Sequence, residues 1–176
     1  SLFIELPIVM PPAVAGLALL LTFGRRGLLG DPLSDLGVTI AFTQAAVVIA
    51  QTFVAAPFYI RAAQVGFAGV QSDLEDAARV DGATEPLVFR HITLPLASPA
   101  LLSGLILSWA RVLGEFGATI LFAGSLQGVT QTMPLLVYGV FERDLDAAIW
   151  TSLLLIGIAL VALAISQLIQ FLAGED

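Results

Sequence analysis

From residue 147 to residue 174 the chain reads AAIWTSLLLIGIALVALAISQLIQFLAG, 28 residues without a charged side chain or a histidine. A helix of about 20 residues, rising ~1.5 Å per residue, crosses the hydrocarbon of a bilayer. This run has the length and the composition to do so, and it makes the chain a membrane protein on first reading. Working outward, four more runs free of charge and histidine precede it: 6–24 with 19 residues, 36–60 with 25, 92–110 with 19 and 116–141 with 26. The whole composition agrees. Of 176 residues 58% are apolar and 12% charged, whereas a soluble domain carries roughly 25% charged residues.

Four of the five runs read as spans. The first contains Pro7, Pro11 and Pro12, so its helix is expected to start or kink near Pro12. The run 116–141 differs. Its middle, from Gly124 to Thr132, reads GSLQGVTQT, which would not face lipid at mid-depth. It is expected to form two short helical pieces around a polar turn, dipping in or lying at the mouth. The fold expected is thus an all-α, polytopic membrane domain over 1–176, with about four full spans and a broken or re-entrant segment at 115–142. The chain opens at Ser1, not Met, directly in apolar sequence. N-terminal helices of a longer protein are therefore expected upstream.

The counts exclude several chemistries. There is no cysteine, one histidine (His91) and no lysine; all seven cations are arginine. Thiolate metal sites, a multi-histidine metal site, a P-loop lysine and Schiff-base chemistry are all ruled out within the chain. No catalytic residue, metal or cofactor is expected here, and energy from ATP would have to come from a partner. The net charge of −7 argues against nucleic acid and against a polybasic lipid patch.

The most charged segment, 66–95, reads GFAGVQSDLEDAARVDGATEPLVFRHITLP. Ser72-Asp73-Leu74-Glu75 has the form of a capping box, predicting a short helix to about Asp81. Gly82 is placed to end it. Thr84 can cap a second helix with Pro86 in its first turn, running until Pro95 opens the next span. Two short helices joined at a glycine, rich in small alanines, suit close approach by another surface. An amphipathic loop lying on the membrane is the other physical reading. Both are open from the residues alone.

Asp76-Ala77-Ala78, three residues, Gly82, nine residues, then Ile92-Thr93-Leu94-Pro95 resembles the EAA loop of ABC importer permeases. Asp76 stands where that family usually has glutamate, with Glu75 beside it. Ser108-Trp109-Ala110-Arg111 and Gly114-Glu115-Phe116-Gly117-Ala118-Thr119 resemble the molybdate and tungstate branch, much of whose pattern sulfate permeases share. Leu6-Pro7, Pro11-Pro12, Phe23-Gly24-Arg25-Arg26-Gly27 and Thr130-Gln131-Thr132-Met133-Pro134-Leu135 fit the same branch. The resemblance covers nearly the whole chain. It implies a type I importer transmembrane domain (MetI-like) that works as a homodimer with two ABC ATPase subunits and an extracytoplasmic oxyanion-binding protein. ATP and magnesium would sit on the ATPases. The domain would lie in the cytoplasmic membrane, with the EAA loop and the C-terminus on the cytoplasmic side.

The resemblance also assigns Glu75, Asp76, Ala77, Ala78, Asp81, Gly82, Ala83, Ile92, Leu94 and Pro95 to ATPase coupling, in the loop 72–95. Candidate pathway or gate residues are Gln44 and Gln51, on one stripe with Thr52, together with Arg111 and Glu115. The last pair can equally be a structural ion pair, and the stripe can equally bond a neighbouring helix. His91 reads as a loop histidine. A sulfate or thiosulfate permease is the nearest alternative function. A secondary transporter would need an inverted repeat and mid-span acids, neither of which is evident. An intramembrane enzyme would need a mid-depth constellation that is missing as well.

Overall fold

The computed structural model describes residue 7 and residues 9–173, and its ordered elements are all helical. They are α1 (Pro12–Phe23), α2 (Gly30–Asp35), α3 (Gln44–Ala68), α4 (Ser72–Val80), α5 (Glu85–Val88), a π-helical turn (Phe89–Thr93), α6 (Leu94–Leu113), α7 (Gly117–Phe122), α8 (Met133–Phe141) and α9 (Leu145–Ala173). Three helical stretches among the described residues are long and apolar enough to cross a membrane: Gln44–Ala68, Glu85–Leu113 and Leu145–Ile165. Of the first apolar run, Leu6 and Ile8 lie outside the described residues. Its helix α1 begins at Pro12, where the missing proline N–H costs nothing because a first-turn amide has no intrahelical partner.

The backbones meet at small residues. α3 and α6 pack antiparallel: a Cβ on Gly66 would stand 2.7 Å from the Cβ of Ala100, and one on Gly104 would stand 2.5 Å from that of Ala62. On the other side α1 lies along α7, where a Cβ on Gly16 would come within 2.6 Å of the Ala118 carbonyl oxygen. The core between α1, α3 and α7 gathers Leu19, Ala46, Ala50, Val54, Ala118 and Phe122. Phe122 is fully buried, with its ring 6.3 Å from that of Phe23. Lipid tails are as apolar as leucine, so such helices associate by close van der Waals contact more than by the hydrophobic effect. The long α9 carries exposed Leu153, Leu154, Ile156 and Leu160, as a surface solvated by lipid would.

The broken segment takes the form the polar residues require. α7 and α8 flank an irregular stretch whose polar groups bond one another. The Leu126 amide donates to Thr130 Oγ1 at 3.0 Å, and Thr130 Oγ1 donates to the Gly124 carbonyl at 3.3 Å. Gly124 and Gly128 supply the left-handed backbone, at φ 71° and 76°, which only glycine adopts freely.

A Gly16→Ala substitution should lower the thermal unfolding midpoint in detergent, costing about 1–3 kcal/mol, because the intruding methyl meets backbone rather than a movable side chain. Gly157→Ala, where the added methyl would meet nothing within 4 Å, should be neutral or slightly stabilising. Equal midpoints for the two variants would show that the α1–α7 seam does not depend on Gly16.

Candidate functional site

The segment between α3 and α6 folds as an elbow standing off the helix body. Its first arm, α4, has no buried residue. Asp73 and Glu75 lie in the first turn and Arg79 in the last, each charge placed favourably for the helix dipole. At its far end the Gly82 amide donates to the Arg79 carbonyl and the Ala83 amide to the Ala78 carbonyl, both at 3.0 Å. This is the paired closure of a Schellman motif. It requires a left-handed residue at position 82, and Gly82 sits at φ 90°.

The start of α4 differs from expectation. Its N-cap is Gln71 and no side-chain cap forms, so Ser72–Glu75 is not a capping box. Glu75 is engaged elsewhere: it accepts a hydrogen bond from Thr93 Oγ1 at 2.5 Å and lies 3.7 Å from Arg79. A tertiary partner outcompeted the local one. The second arm differs too. Pro95 does not open a new helix, because Glu85–Leu113 is one continuous helical stretch. The π-helical turn absorbs the proline: the Leu94 amide reaches back five residues to the Phe89 carbonyl, so the ladder passes a residue that cannot donate. His91 therefore lies within a helix, its Nδ1 3.1 Å from the Leu87 carbonyl.

Arg79 is the hub of the elbow. Its guanidinium donates to both carboxylate oxygens of Glu85, at 2.8 and 3.2 Å, and to Asp76 Oδ1 at 2.7 Å. The bonds to Glu85, then to Asp76, raise the Arg79 pKa further. The bond from Arg79 and its positive charge hold the Glu85 carboxyl below the usual carboxylate value.

Of the expected coupling residues, Glu75 to Ala83 are thus brought together on one knob, with Ile92, Leu94 and Pro95 in the helix below it. Asp76, Ala77, Asp81 and Gly82 are exposed; Glu75, Ala78, Ala83 and Ile92 are half-buried; Leu94 and Pro95 lie exposed at the base of the span. Leu74, Val80 and Leu87 add exposed apolar surface, with Val80 86% exposed. Sequence reasoning passed over Arg79, Glu85 and Thr93. Only the i,i+3 and i,i+4 spacing of Arg79 from Asp76 and Glu75 was legible beforehand.

The other candidates fall in two places. Gln51 and Thr52 line a groove of about 260 Å³ between α3 and α6, with Ser108, Trp109, Leu105 and Val112 on its other wall. Ser108 Oγ is buried there without a hydrogen-bond partner. Gln44, in the first turn of α3, is exposed and lies outside that groove. Arg111 and Glu115 meet at 3.0 Å, with Glu115 almost wholly buried. The second carboxylate oxygen of Glu115 accepts from the Ala118 amide at 2.9 Å. The pair thereby fixes the turn from α6 into α7. Among the described residues no group of acids and histidine is arranged to hold a metal.

The fold is thus a helical domain with small-residue seams and an exposed elbow between two long apolar helices. Residues 1–173 match the binding-protein-dependent transport system inner membrane components, and the chain belongs to that family. It is 49% identical over 156 residues to the molybdenum transport system permease protein ModB of Mycobacterium tuberculosis, covering 89% of this chain and 59% of that protein. To the ModB of Escherichia coli it is 38% identical, over 98% of this chain and 76% of that protein. The sulfate transport system permease protein CysW of Synechococcus elongatus is 37% identical, over 98% of this chain and 61% of that protein. The chain spans about three fifths of the length of the mycobacterial relative.

Two measurements check this geometry. Arg111→Met should destabilise by about 3–5 kcal/mol, because it strands a buried carboxylate, whereas Glu115→Gln should cost less, as it keeps an acceptor for the Ala118 amide. The reverse order in thermal melts would contradict the role of Glu115 as the buried partner. The elbow should also resist acid. A depressed Glu85 pKa contributes stability that is complete above the unfolded value and is lost only as pH falls through the depressed one. Spin labels at the exposed Val65 and Val80 should therefore hold one separation from about pH 8 down to the ordinary carboxylate value, about 4.3, and broaden only below it. Broadening near neutral pH would show that the contact between Arg79 and Glu85 does not set the elbow.

Proposed function

We propose that the chain is the permease subunit of an ATP-driven ABC importer that moves molybdate, or its congener tungstate, across the cytoplasmic membrane. The observation that carries the reading is the elbow. A nine-residue helix with no buried residue, closed by a Schellman turn and holding Leu74, Ala77 and Val80 outward, is built to be covered by another protein. Its surroundings are acidic, with Asp73, Glu75, Asp76, Asp81 and Glu85 against Arg79 and no other cation from 72 to 85. That disfavours the anionic membrane surface as the covering partner.

In this reading the elbow docks into a cleft on an ABC ATPase subunit. Glu75, Asp76, Ala77, Ala78, Asp81, Gly82 and Ala83 form the docking face, while Ile92, Leu94 and Pro95 root it in the span. Two copies of the chain form the path between them and two ATPases bind ATP and magnesium. An extracytoplasmic binding protein delivers the oxyanion. The elbow and the C-terminus face the cytoplasm. ATP binding draws the ATPases together and the elbows carry that movement into the spans. The chain itself makes and breaks no covalent bond.

The groove beside Gln51, Thr52 and Ser108 supports a pathway along the α3–α6 pair. Its polar groups are neutral, and weak neutral contacts suit an ion that must leave as readily as it enters. Gln44, Arg111 and Glu115 would flank that path, the ion pair mainly by fixing its wall. The likeness to CysW favours sulfate as the second reading of the cargo.

The test is radiolabelled molybdate uptake by cells holding the complete permease, its ATPase and its binding protein. A Cβ at Gly82 would meet nothing within 4 Å, but at φ 90° any L residue is strained. Gly82→Asp therefore strains the closing turn as well as altering the docking face, and should abolish most uptake at an unchanged amount of permease in the membrane. Excess tungstate should compete and excess sulfate should not. Competition by sulfate would move the cargo and keep the class. Uptake that ignores both Gly82→Asp and loss of the ATPase would sink the importer reading.

A further inference from the structure

Neither Arg79 nor Thr93 is among the residues that the family likeness assigns to coupling, yet between them they close the elbow. Arg79 on α4 grips Glu85, in the first turn of the Glu85–Leu113 helix, through two nitrogens at 2.8 and 3.2 Å. Glu75, one turn earlier on α4, accepts from Thr93 at the end of the π-helical turn of that same helix. The two anchor points lie eight residues apart, about 12 Å along the helix axis. One tie would leave α4 free to swing about it. Two ties at this spacing, with the Schellman turn at Gly82 as the third corner, make a triangle.

The geometry of the acids says which contacts matter. Asp76 is 69% exposed and Glu85 74% exposed at the side chain, so either is reachable from outside. Asp76 and Arg79 share one helix, so their contact cannot fix α4 against anything else. The contact between Arg79 and Glu85 and the contact between Glu75 and Thr93 each cross from one arm to the other. Isolated surface ion pairs contribute little to stability, and geometry earns them weight only where a bidentate pair joins a network. Arg79 meets that condition, and lysine could not reproduce its planar fork.

We propose that Arg79, seconded by Thr93, is the positioning residue that turns the elbow into a rigid lever, so that a displacement of α4 reaches the membrane span undiminished. This rests on the importer reading above and deepens it. Loss of the ties lets α4 follow the ATPase while the span lags. ATP hydrolysis then continues and transport falls away from it. Thr93 is placed to pass the movement on because it sits in the π-helical turn, a segment that already departs from the regular ladder at the root of the span.

The experiment uses the complete permease with its ATPase and binding protein in proteoliposomes, reading molybdate moved per ATP hydrolysed. Arg79→Gln should lower that ratio about fivefold, the scale on which a broken local equilibrium shifts, and Arg79→Gln with Thr93→Val should lower it further. These 176 residues hold no cysteine, so in a complex whose other cysteines have been replaced, an Arg79→Cys, Glu85→Cys pair can be bridged by a short bis-thiosulfonate linker, which forms a disulfide with each thiol, releases sulfinate and is cleaved by reductant. The open pair should be uncoupled, the bridged pair should recover the wild-type ratio, and reductant should remove the recovery. A structural defect would not be mended by a bridge and unmended by its cleavage. A wild-type ratio in Arg79→Gln, or a bridged pair that stays uncoupled, would overturn the lever role alone. A wild-type assembly that moves no oxyanion at the expense of ATP would overturn the importer reading and the lever role with it.

Discussion

In lipid, two apolar helices gain little by hiding from their solvent, and what holds them is how closely their backbones come. The whole molecule depends on that constraint. Gly66 meets Ala100 and Gly104 meets Ala62 along α3 and α6, and Gly16 meets the backbone at Ala118 along α1 and α7. A methyl group added at any of these glycines would fall inside 3 Å of its neighbour. The α3–α6 seam matters most, because these two helices are the posts on which the elbow stands. An elbow can deliver a movement only if its posts do not part, and the glycine–alanine contacts near the Ala68 end of α3 hold them together next to it.

The elbow inverts that logic. The helix seams are made of apolar contacts, while the elbow keeps its shape by charge and hydrogen bonds: Arg79 with Glu85 and Asp76, Glu75 with Thr93, and the paired backbone bonds around Gly82. Polar ties suit a segment that has no core of its own. They leave Leu74, Ala77 and Val80 unspent for an external surface. A small knob that packed its own apolar residues would be stable alone but would offer a partner nothing to bury. The division between a body held by contact and a knob held by charge follows from where each one sits.

How far this was legible in the sequence varies from residue to residue. The run at 147–174 and the polar middle of 116–141 announced a span and a pair of short helices around a turn, because hydropathy acts over many residues and survives local detail. Gly82 announced the end of α4, because only a left-handed residue closes a Schellman motif. The capping box at Ser72–Glu75 misled. Its geometry is local, while the partner that took Glu75 lies eighteen residues away at Thr93, and sequence spacing carries no sign of that contact. Pro95 misled for a related reason. Proline usually opens or breaks a helix, and the π-helical turn that lets the ladder run past it depends on the surrounding span. The ten residues assigned to coupling came from the family likeness. That seven of them share one knob while Ile92, Leu94 and Pro95 lie in the helix below it is geometry, and the likeness gave no coupling role to the three side chains Arg79, Glu85 and Thr93 that brace it.

In the proposed importer reading, the ion pair at Arg111 and Glu115 would hold charges near the path without trapping the cargo. A dianion entering a path beside an unbalanced arginine would bind too well to leave. Here the arginine is neutralised by a carboxylate 3.0 Å away, and that carboxylate is also held by the Ala118 amide. Both charges are thereby committed to the turn between α6 and α7. What remains toward the α3–α6 groove is neutral: Gln51, Thr52 and Ser108. In that reading, neutral groups such as Gln51 and Thr52 would donate hydrogen bonds to an oxyanion without holding it by charge. Under the same proposal, selection of the cargo would fall to a separate binding protein, where tight binding does no harm, and the spans would be free to be permissive.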